Sequence, residues 1–376
     1  MRKSHYLSAV AAAAAVALTL AGCSAESTES TSAGANVDAA DCVATATDAV
    51  ATASAEQPLL APADVLDTAA LEGKNIWFIT LLVNQYVSDL YDGFEEAAEA
   101  AGMEPTMYDG LSNIARVTEG ISQAVAQDAD GIVLVAVDPS TVPASLEETT
   151  AAGIPVLNFM TDDVTGPVHE GTFGNLTANM KADGAAQAMW ALADSGCQAD
   201  VVLMEASVLA NFAAVVDGAE EAIADTCADC STTRLDIDLA NVATDVPAQL
   251  QSALQSNPDT NYILSAWDSS VPFVAPVLAT TASEAKVGGH DGLAATLEMI
   301  KSDSGQDMTM AMTPTGHQGW LAVDEVARVM LGGETPDYVI PTRLIDATNV
   351  GDGSESATWP AYDDYQQAFE DAWAGN

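Results

Sequence analysis

Residues 130–139 read DGIVLVAVDP, and this stretch decides the fold class. Its seven central residues, GIVLVAV, form a continuous apolar run that suits a strand covered on both faces. A helical pattern over 114–127 precedes this run, and a second over 142–152 leads into another apolar run, IPVLNFM, at 154–160. Such alternation of strands and helices, joined by short turns, predicts a parallel sheet with right-handed crossovers.

The same alternation extends in both directions along the chain. Upstream, NIWFITLLV at 75–83 predicts a strand, and 88–101 predicts an amphipathic helix that ends at Gly102. Downstream, a second series begins after residue 175. It predicts helices at 178–195, 211–225, 246–255, 271–281 and 294–301, and strands at 201–205, 233–237, 262–267 and 285–289. Two such series predict an α/β fold of two doubly wound parallel-sheet lobes facing each other across a cleft, with ligands bound at the carboxyl ends of the strands.

The N-terminus indicates export. Leu20-Ala21-Gly22-Cys23 closes a short apolar run behind a basic start, a pattern similar to the lipobox of a bacterial lipoprotein. The run is too short and too rich in alanine to span a bilayer permanently, so we predict a signal peptide at 1–22 and a lipid on the thiol of Cys23. This places the protein on the outer face of the cell membrane, held there by a lipid anchor. The alternative is a signal peptide without lipidation, in which Cys23 occurs by chance.

Residues 23–57 are rich in Ala, Ser, Thr and acidic side chains, and large apolar residues are few. Such a composition predicts a flexible linker, with one short helix around 42–54.

The charge balance excludes some partners. The chain has 55 acidic and 10 basic residues and a net charge of −45. Nucleic acids and anionic lipid headgroups need a basic patch, so neither is expected to bind. The acidic residues are dispersed over predicted helix faces, which indicates a hydrated surface; a saline or acidic habitat would account for it.

Four cysteines remain beyond Cys23. They are Cys42, Cys197, Cys227 and Cys230. An even number in an exported chain predicts two structural disulfides, and three pairings are possible. A redox or zinc role for the pair at 227 and 230 is the alternative. It is less favoured, because this pair follows a predicted helix instead of opening one and no further zinc ligands are nearby.

Several segments together resemble a known family, although none is diagnostic alone. They are Asp92-Gly93-Phe94, the stretch 130–139 leading into Ala152-Gly153-Ile154-Pro155-Val156, Trp267-Asp268, Gly289-His290-Asp291-Gly292, and the Gly319 turn before a helix at 320–331. In their order and spacing the chain resembles the type I periplasmic sugar-binding proteins of the ribose-binding class, the capture subunits of ABC importers. The resemblance covers about residues 74–350.

The resemblance implies a three-segment hinge, with crossings between the lobes near Gly174, Thr313 and Pro341. The N-terminal lobe would then hold 74–174 plus 314–340, and the C-terminal lobe 175–313 plus 341–350. Residues 351–376 exceed the family core and are predicted to pack as a helix on one lobe. Hinge closure on a ligand is the expected motion.

The resemblance and the position of residues after strands also give candidate ligand-binding residues. They are Thr80, Asn84, Tyr86, Asp162, Phe173, Phe212, Trp267, Asp268, His290, Asp291 and Thr313. Asp291 matches the family's hydroxyl-binding aspartate, which accepts two adjacent sugar hydroxyls; capping of the helix at 294 is its alternative role. The aromatic rings could stack on the apolar face of a sugar, or pack in the interior instead.

Because the sequence departs from the family pattern at several positions, the resemblance does not fix the identity of the ligand. Trp267 replaces an asparagine, His290 replaces an aromatic residue, and Thr313 replaces a glutamine. Met160-Thr161 stands in place of an Asp-Arg pair, and the arginine expected at 212–215 is absent. A site without arginine favours a neutral monosaccharide or polyol; a cationic or aromatic compound stays possible through carboxylate pairing and cation–π contact.

Other function classes fit less well. No catalytic motif, phosphate-binding glycine loop or metal-ligand spacing is found, so we expect neither enzymatic activity nor a cofactor or metal. A transcription regulator of related fold would have a DNA-binding head and no export signal. The expected partners are a small-molecule ligand and ABC permease subunits, with the protein acting as a monomer. The main alternative is a lipid-anchored sensor that presents a small signal molecule to a membrane receptor.

Overall fold

The computed structural model describes residues 39–359 and 364–375, which contain two six-stranded sheets. The first sheet has the spatial order β11 (Val339–Ile340), β5 (Gly174–Ala178), β4 (Val156–Phe159), β3 (Gly131–Val135), β1 (Asn75–Thr80), β2 (Glu104–Asp109). The second has the order β12 (Thr342–Asp346), β10 (Met308–Met312), β9 (Lys286–Asp291), β8 (Tyr262–Ser265), β6 (Asp200–Glu205), β7 (Ser231–Asp236). All neighbouring strands run parallel except β10 and β12.

Helices cover these sheets. Within the described ranges they are α1 (Ala39–Ala53), α2 (Gln85–Ala100), α3 (Ile114–Ala126), α4 (Pro143–Ala152), α5 (Met180–Ser195), α6 (Ala210–Thr226), α7 (Val242–Ser256), α8 (Ala275–Thr281), α9 (Ala294–Ser302), α10 (Thr315–Met330), α11 (Glu355–Thr358) and α12 (Tyr365–Trp373). Short 3₁₀ turns lie at Thr68–Leu71, Pro139–Thr141, Leu239–Asn241 and Asp268–Phe273. The last of these occupies the start of the helix predicted at 271–281, which contains prolines and begins as α8 only at Ala275.

The predicted fold class, two doubly wound α/β lobes, is confirmed. The chain passes between the sheets after β5, between β10 and α10, and at Pro341 between β11 and β12. The first passage follows Ala178, because β5 pairs with β4 and extends the first sheet by one strand.

Each lobe contains a helix pair that packs backbone against backbone. In the first lobe α2 packs on α10, and a Cβ at Gly93 would lie 2.4 Å from the Cα of Gly316. In the second lobe α5 packs on α6, and a Cβ at Gly184 would lie 1.7 Å from the carbonyl oxygen of Val215. Only glycine allows this approach, so the two helices of each pair are held close together.

The N-terminal helix belongs to the second lobe. α1 packs against α5, and the Cys42–Cys197 disulfide joins it to the residues that follow α5. The second disulfide joins Cys227 to Cys230 at the end of α6, so the four cysteines form the two disulfides predicted. At least residues 39–53 of the predicted linker are therefore folded onto a lobe, because α1 buries Cys42 and Ala46. The predicted signal peptide, Cys23 and the rest of 23–38 lie outside the described residues.

The C-terminal extension is divided between the lobes: Thr358 of α11 accepts a hydrogen bond from Arg343 of β12 in the second lobe, and α12 packs on α10 of the first lobe. The Trp373 indole on α12 stacks on Trp320 of α10, with ring centroids 5.1 Å apart. Its Nε1 donates to Asp324 at 2.8 Å, beside the buried Asp324–Arg328 ion pair. In the described part of the chain, no helix is both long enough and apolar enough to cross a membrane.

Candidate ligand-binding site

A cavity of about 260 Å³ lies at the carboxyl ends of the strands of both sheets. The first lobe lines it with Leu81, Leu82, Asn84, Tyr86, Val87, Val135, Ala136 and Met160. The second lobe lines it with Leu209, Asn211, Phe212, Leu239, Val242, Trp267, Ser269, Phe273 and Asp291. This is the cleft position at which ligands bind in open α/β sheets.

Three lining residues adopt backbone conformations that favour glycine. Ala136 and Met160, directly after β3 and β4, have φ of 53°, and Asp291 at the end of β9 has φ of 126°. Each such residue costs about 1–3 kcal/mol and persists only where its surroundings hold it in place. Strain of this kind clusters at functional sites, so its occurrence at three strand ends supports this cavity as the site.

Asp291 is held by a buried chain of charged groups. The Nδ1 atom of His290 lies 3.5 Å from Oδ1 of Asp291, and its Nε2 atom lies 3.0 Å from Oδ2 of Asp183. Asp183 in turn accepts a hydrogen bond from Thr342 Oγ1 at 2.6 Å. Burial lowers the pKa of His290, but hydrogen bonds to Asp183 and Asp291 outweigh it and raise the pKa to about 10. His290 is therefore an imidazolium at neutral pH. Burial raises the pKa of Asp291, and this cation opposes the rise.

Asp268 points into the second lobe instead of the cavity. Its carboxylate accepts hydrogen bonds from the backbone of Gly292 at 2.7 Å and from Gln306 Nε2 at 2.8 Å. Thr309 Oγ1 donates to it as well, at 3.1 Å. Burial, and then the charge of Asp291, raise the pKa of Asp268 to about 7. Its geometry is that of a structural acceptor that braces the loop carrying Asp291.

The aromatic wall is a stacked pair. Phe212 at the start of α6 and Trp267 after β8 lie with ring centroids 5.1 Å apart and planes 7° from parallel. Each ring covers one face of the other, so the pair offers one continuous apolar surface to the cavity. Both residues were predicted wall candidates, and both line it.

On the first lobe, Tyr86 connects the cavity to the hinge. Its hydroxyl donates to Gln318 Oε1 at 2.5 Å, and Gln318 Nε2 donates to the carbonyl oxygen of Thr313 at 2.5 Å. Burial, and then the charge of Asp291, raise the pKa of Tyr86 well above its usual value, so the phenol stays protonated. Asn84 accepts from the backbone of Val87 at 2.9 Å and caps α2 while lining the cavity.

Five of the predicted residues therefore meet at the cavity, and six do not line it. The five are Asn84, Tyr86, Phe212, Trp267 and Asp291. The six are Thr80, Asp162, Phe173, Asp268, His290 and Thr313.

The physical reasons differ among those six. Thr80 donates to the carbonyl oxygen of Leu82 at 3.0 Å, and Asp162 bonds to His169 at 2.9 Å. Phe173 precedes β5, so it lies at the opposite, amino-terminal edge of the sheet. His290 alternates with Asp291 along β9 and faces the lobe interior. The side chain of Thr313 is buried in the second crossing.

Sequence reasoning missed the residue that bridges the two lobes. Asn211 at the start of α6 donates from its backbone to the carbonyl oxygen of Thr161 at 2.8 Å. Its Nδ2 donates to the carbonyl oxygen of Met160 at 3.0 Å. Both acceptors follow β4 in the first lobe, so Asn211 ties the lobes together across the cavity. Its place next to Phe212 was the only signal available.

The fold and this cavity define a two-lobed binding protein, and nothing in the described ranges groups three or more His, Cys, Asp or Glu side chains as a metal site. A family model described as a periplasmic binding protein domain matches residues 76–334. The chain therefore belongs to the periplasmic binding protein family, and the resemblance identified from the sequence is confirmed.

Solved structures share the fold at low identity. An ABC sugar transporter subunit from Rhodobacter sphaeroides 2.4.1 matches with a TM-score of 0.67 and 21% identity, covering 74% of this chain and 100% of that chain. A solute-binding protein from Agrobacterium vitis with bound allitol matches with a TM-score of 0.67 and 22% identity, covering 74% of this chain and 97% of that chain. A carbohydrate transporter from Acidothermus cellulolyticus 11B in complex with myo-inositol matches with a TM-score of 0.64 and 16% identity, covering 80% of this chain and 99% of that chain. The chain matches no curated protein by sequence.

Proposed function

We propose that this protein is the extracytoplasmic solute-binding subunit of an ABC importer. It captures a small ligand, a monosaccharide or related polyol, by closure of its two lobes and delivers it to a membrane permease. The observation that carries the proposal is the cavity between the lobes, with Asp291 at its edge and an aromatic pair on its wall. Family membership and the allitol and myo-inositol held by structural relatives support it.

The contacts between the lobes fit a capture cycle. Asn211 joins them through two hydrogen bonds, and Tyr86 is linked through Gln318 to the second crossing at Thr313. Ligand held by both walls would favour the closed arrangement, because it gains contacts that the open arrangement lacks. The permease then recognises the combined face of the closed lobes. The proposal includes no catalytic step: the subunit acts as a monomer, needs no cofactor and is anchored by a lipid on Cys23.

The test is calorimetry with a panel of sugars and polyols, selected first by thermal shift, since a ligand that binds the folded state raises the melting temperature. Asp291→Ala should weaken binding of any ligand found by about ten-fold or more, because the carboxylate is a charge-assisted acceptor. The melting temperature without ligand should show that the variant still folds.

The matched control is Asp162→Ala, which also removes a buried carboxylate, but one that does not line the cavity. Its affinity should equal that of the wild type. If Asp291→Ala and the wild type bound the ligand with equal affinity, the edge of the cavity at Asp291 would not belong to the binding site. No binding by any sugar or polyol would contradict the proposed ligand class.

A further inference from the structure

The cavity walls are mostly hydrocarbon, which restricts the ligand beyond the proposed class. Apart from the indole N–H of Trp267, five lining residues have polar side chains that a ligand could meet. They are Asn84, Tyr86, Asn211, Ser269 and Asp291. The remaining lining side chains are aliphatic or aromatic and offer no conventional hydrogen bond, Trp267 apart.

Three of these five polar groups make hydrogen bonds within the protein. Asn211 uses both ends of its amide, donating to Met160 and accepting from the backbone of Phe212 at 2.9 Å. The Tyr86 hydroxyl gives its proton to Gln318, and the Asn84 oxygen caps α2. Part of their hydrogen-bonding capacity therefore holds the cavity together, while the amide nitrogen of Asn84 and the oxygen of Tyr86 can still meet a ligand.

The charged acceptor of the cavity lies at one edge of the second lobe, beside an unpartnered hydroxyl. Among the described residues, Ser269 Oγ is buried without a hydrogen-bond partner. Asp291 Oδ2 accepts a single hydrogen bond, from the backbone of Asp268 at 3.2 Å, which leaves room for further donors. These residues follow β8 and β9, which are neighbours in the sheet. Elsewhere Leu82 of the first lobe and Val242 of the second are apolar.

We infer that the ligand is amphipathic: its main hydrogen-bond donors lie at one end, against Asp291 and Ser269, and most of the rest of it is apolar. This inference rests on the proposed capture of a solute between the lobes, and it selects the ligand, a sugar or an amine, by the distribution of its polar groups. A fully hydroxylated hexose would place some hydroxyls against leucine and valine, where they lose their bonds to water. A deoxygenated sugar avoids that loss. An apolar amine presents the same donor chemistry to the carboxylate through its ammonium group.

The first experiment compares matched pairs of sugars by calorimetry. The pairs are galactose with 6-deoxygalactose and mannose with 6-deoxymannose. Each pair differs by one hydroxyl, so the 6-deoxy member of a pair that binds should have a Kd about five-fold lower or more. Hexoses that bind within two-fold of their deoxy partners would overturn the inference while leaving solute capture intact.

A second arm distinguishes an ammonium donor from a hydroxyl donor, using 2-phenylethylamine and 2-phenylethanol. If the natural donor is an ammonium group, the amine should bind about ten-fold more tightly than the alcohol, and Asp291→Asn should remove that difference. Binding by hexoses and polyols, with no binding by the deoxy sugars or the amine, would also overturn the inference. Failure of every probe would overturn solute capture of this class itself.

The variant Val242→Thr tests the apolar wall directly, since threonine has the shape of valine and adds a hydroxyl at a half-buried position. It should at least halve the preference for the deoxy sugars. Val168→Thr makes the same change at an exposed residue outside the cavity and should leave that preference unaltered. An unchanged preference in Val242→Thr would contradict the role given to this wall.

Discussion

Each lobe buries one histidine completely, and one ring is neutral while the other is a cation. Among the described residues, His317 on α10 of the first lobe has one polar contact, from Nε2 to the carbonyl oxygen of Leu60 at 2.9 Å. Burial lowers its pKa to about 4, so the ring is neutral. His290 on β9 of the second lobe lies between Asp183 and Asp291, and its pKa is raised to about 10.

The comparison shows that burial makes a histidine neutral unless neighbouring carboxylates outweigh it. Both rings are 0% exposed. In the first lobe the neutral ring packs edge-on against Tyr365 and Phe369, and it helps to hold the segment before β1 and the C-terminal helix. In the second lobe the cation holds the carboxylate that lines the cavity. Equivalent folds thus use the same residue type for packing in one lobe and for charge placement at the ligand site in the other.

The largest effect is expected from His290→Leu. Loss of the imidazolium leaves Asp183 and Asp291 as buried carboxylates without a cation, which costs about 3–5 kcal/mol in the free energy of unfolding. Urea unfolding at pH 7 measures this loss. His317→Leu is the matched control, because it replaces an equally buried ring. A loss for His290→Leu no larger than for the control would show that His290 carries no charge.

An intermediate effect is expected from acid. The folded-state pKa of His317, about 4, lies below its unfolded value of about 6.5, so its contribution to stability is present above pH 6.5 and lost as the pH falls toward 4. The wild type should therefore lose about 3 kcal/mol more than His317→Leu between pH 7 and pH 4. His290 adds no such pH dependence to the free energy of unfolding below about pH 6.5, since it is protonated in both the folded and the unfolded protein. Its contribution to stability is lost only as the pH rises from about 6.5 through 10.

Urea unfolding of both proteins at several pH values provides the measurement, and carboxylates common to both cancel in the difference. Parallel pH profiles for wild type and His317→Leu would mean that this ring is not neutral in the folded state.

The smallest effect is expected from His317→Leu at pH 7. The substitution leaves the Leu60 carbonyl oxygen without its donor but also removes the buried Nδ1 atom, which has no partner among the described residues. The two changes oppose each other, so the net loss should be about 1 kcal/mol or less. A loss above about 3 kcal/mol would show that the ring does more than pack.

The strands with long apolar runs could be predicted, and several of the others could not. β1 and β3 read NIWFIT and GIVLV and are buried along almost their whole length. β2, which the sequence did not reveal, reads EPTMYD and is half-exposed at the sheet edge, so it lacks the apolar signal of a central strand. β10 reads MTMAM, which is buried but has neither a long run nor β-branched aliphatic residues.

The site was predictable to the level of strand ends but not of side-chain directions. Asn84, Trp267 and Asp291 follow strands and line the cavity, as the position of ligand sites in such sheets suggests. Asp268 and His290 are their direct neighbours in sequence, yet both turn into the lobe interior. A shift of one residue reverses the facing of a side chain at a strand end, and the apolar pattern does not fix where the strand stops.

The sequence by itself determined the two-lobed α/β fold, because apolar periodicity is local and each run must be buried by its own neighbours. Only the tertiary structure decided which groups meet. The charge of His290 depends on Asp183, which is 107 residues away along the chain, and the bridge between the lobes depends on Asn211 reaching the end of β4. Such contacts arise only when separate elements pack together, so no stretch of the sequence encodes them alone.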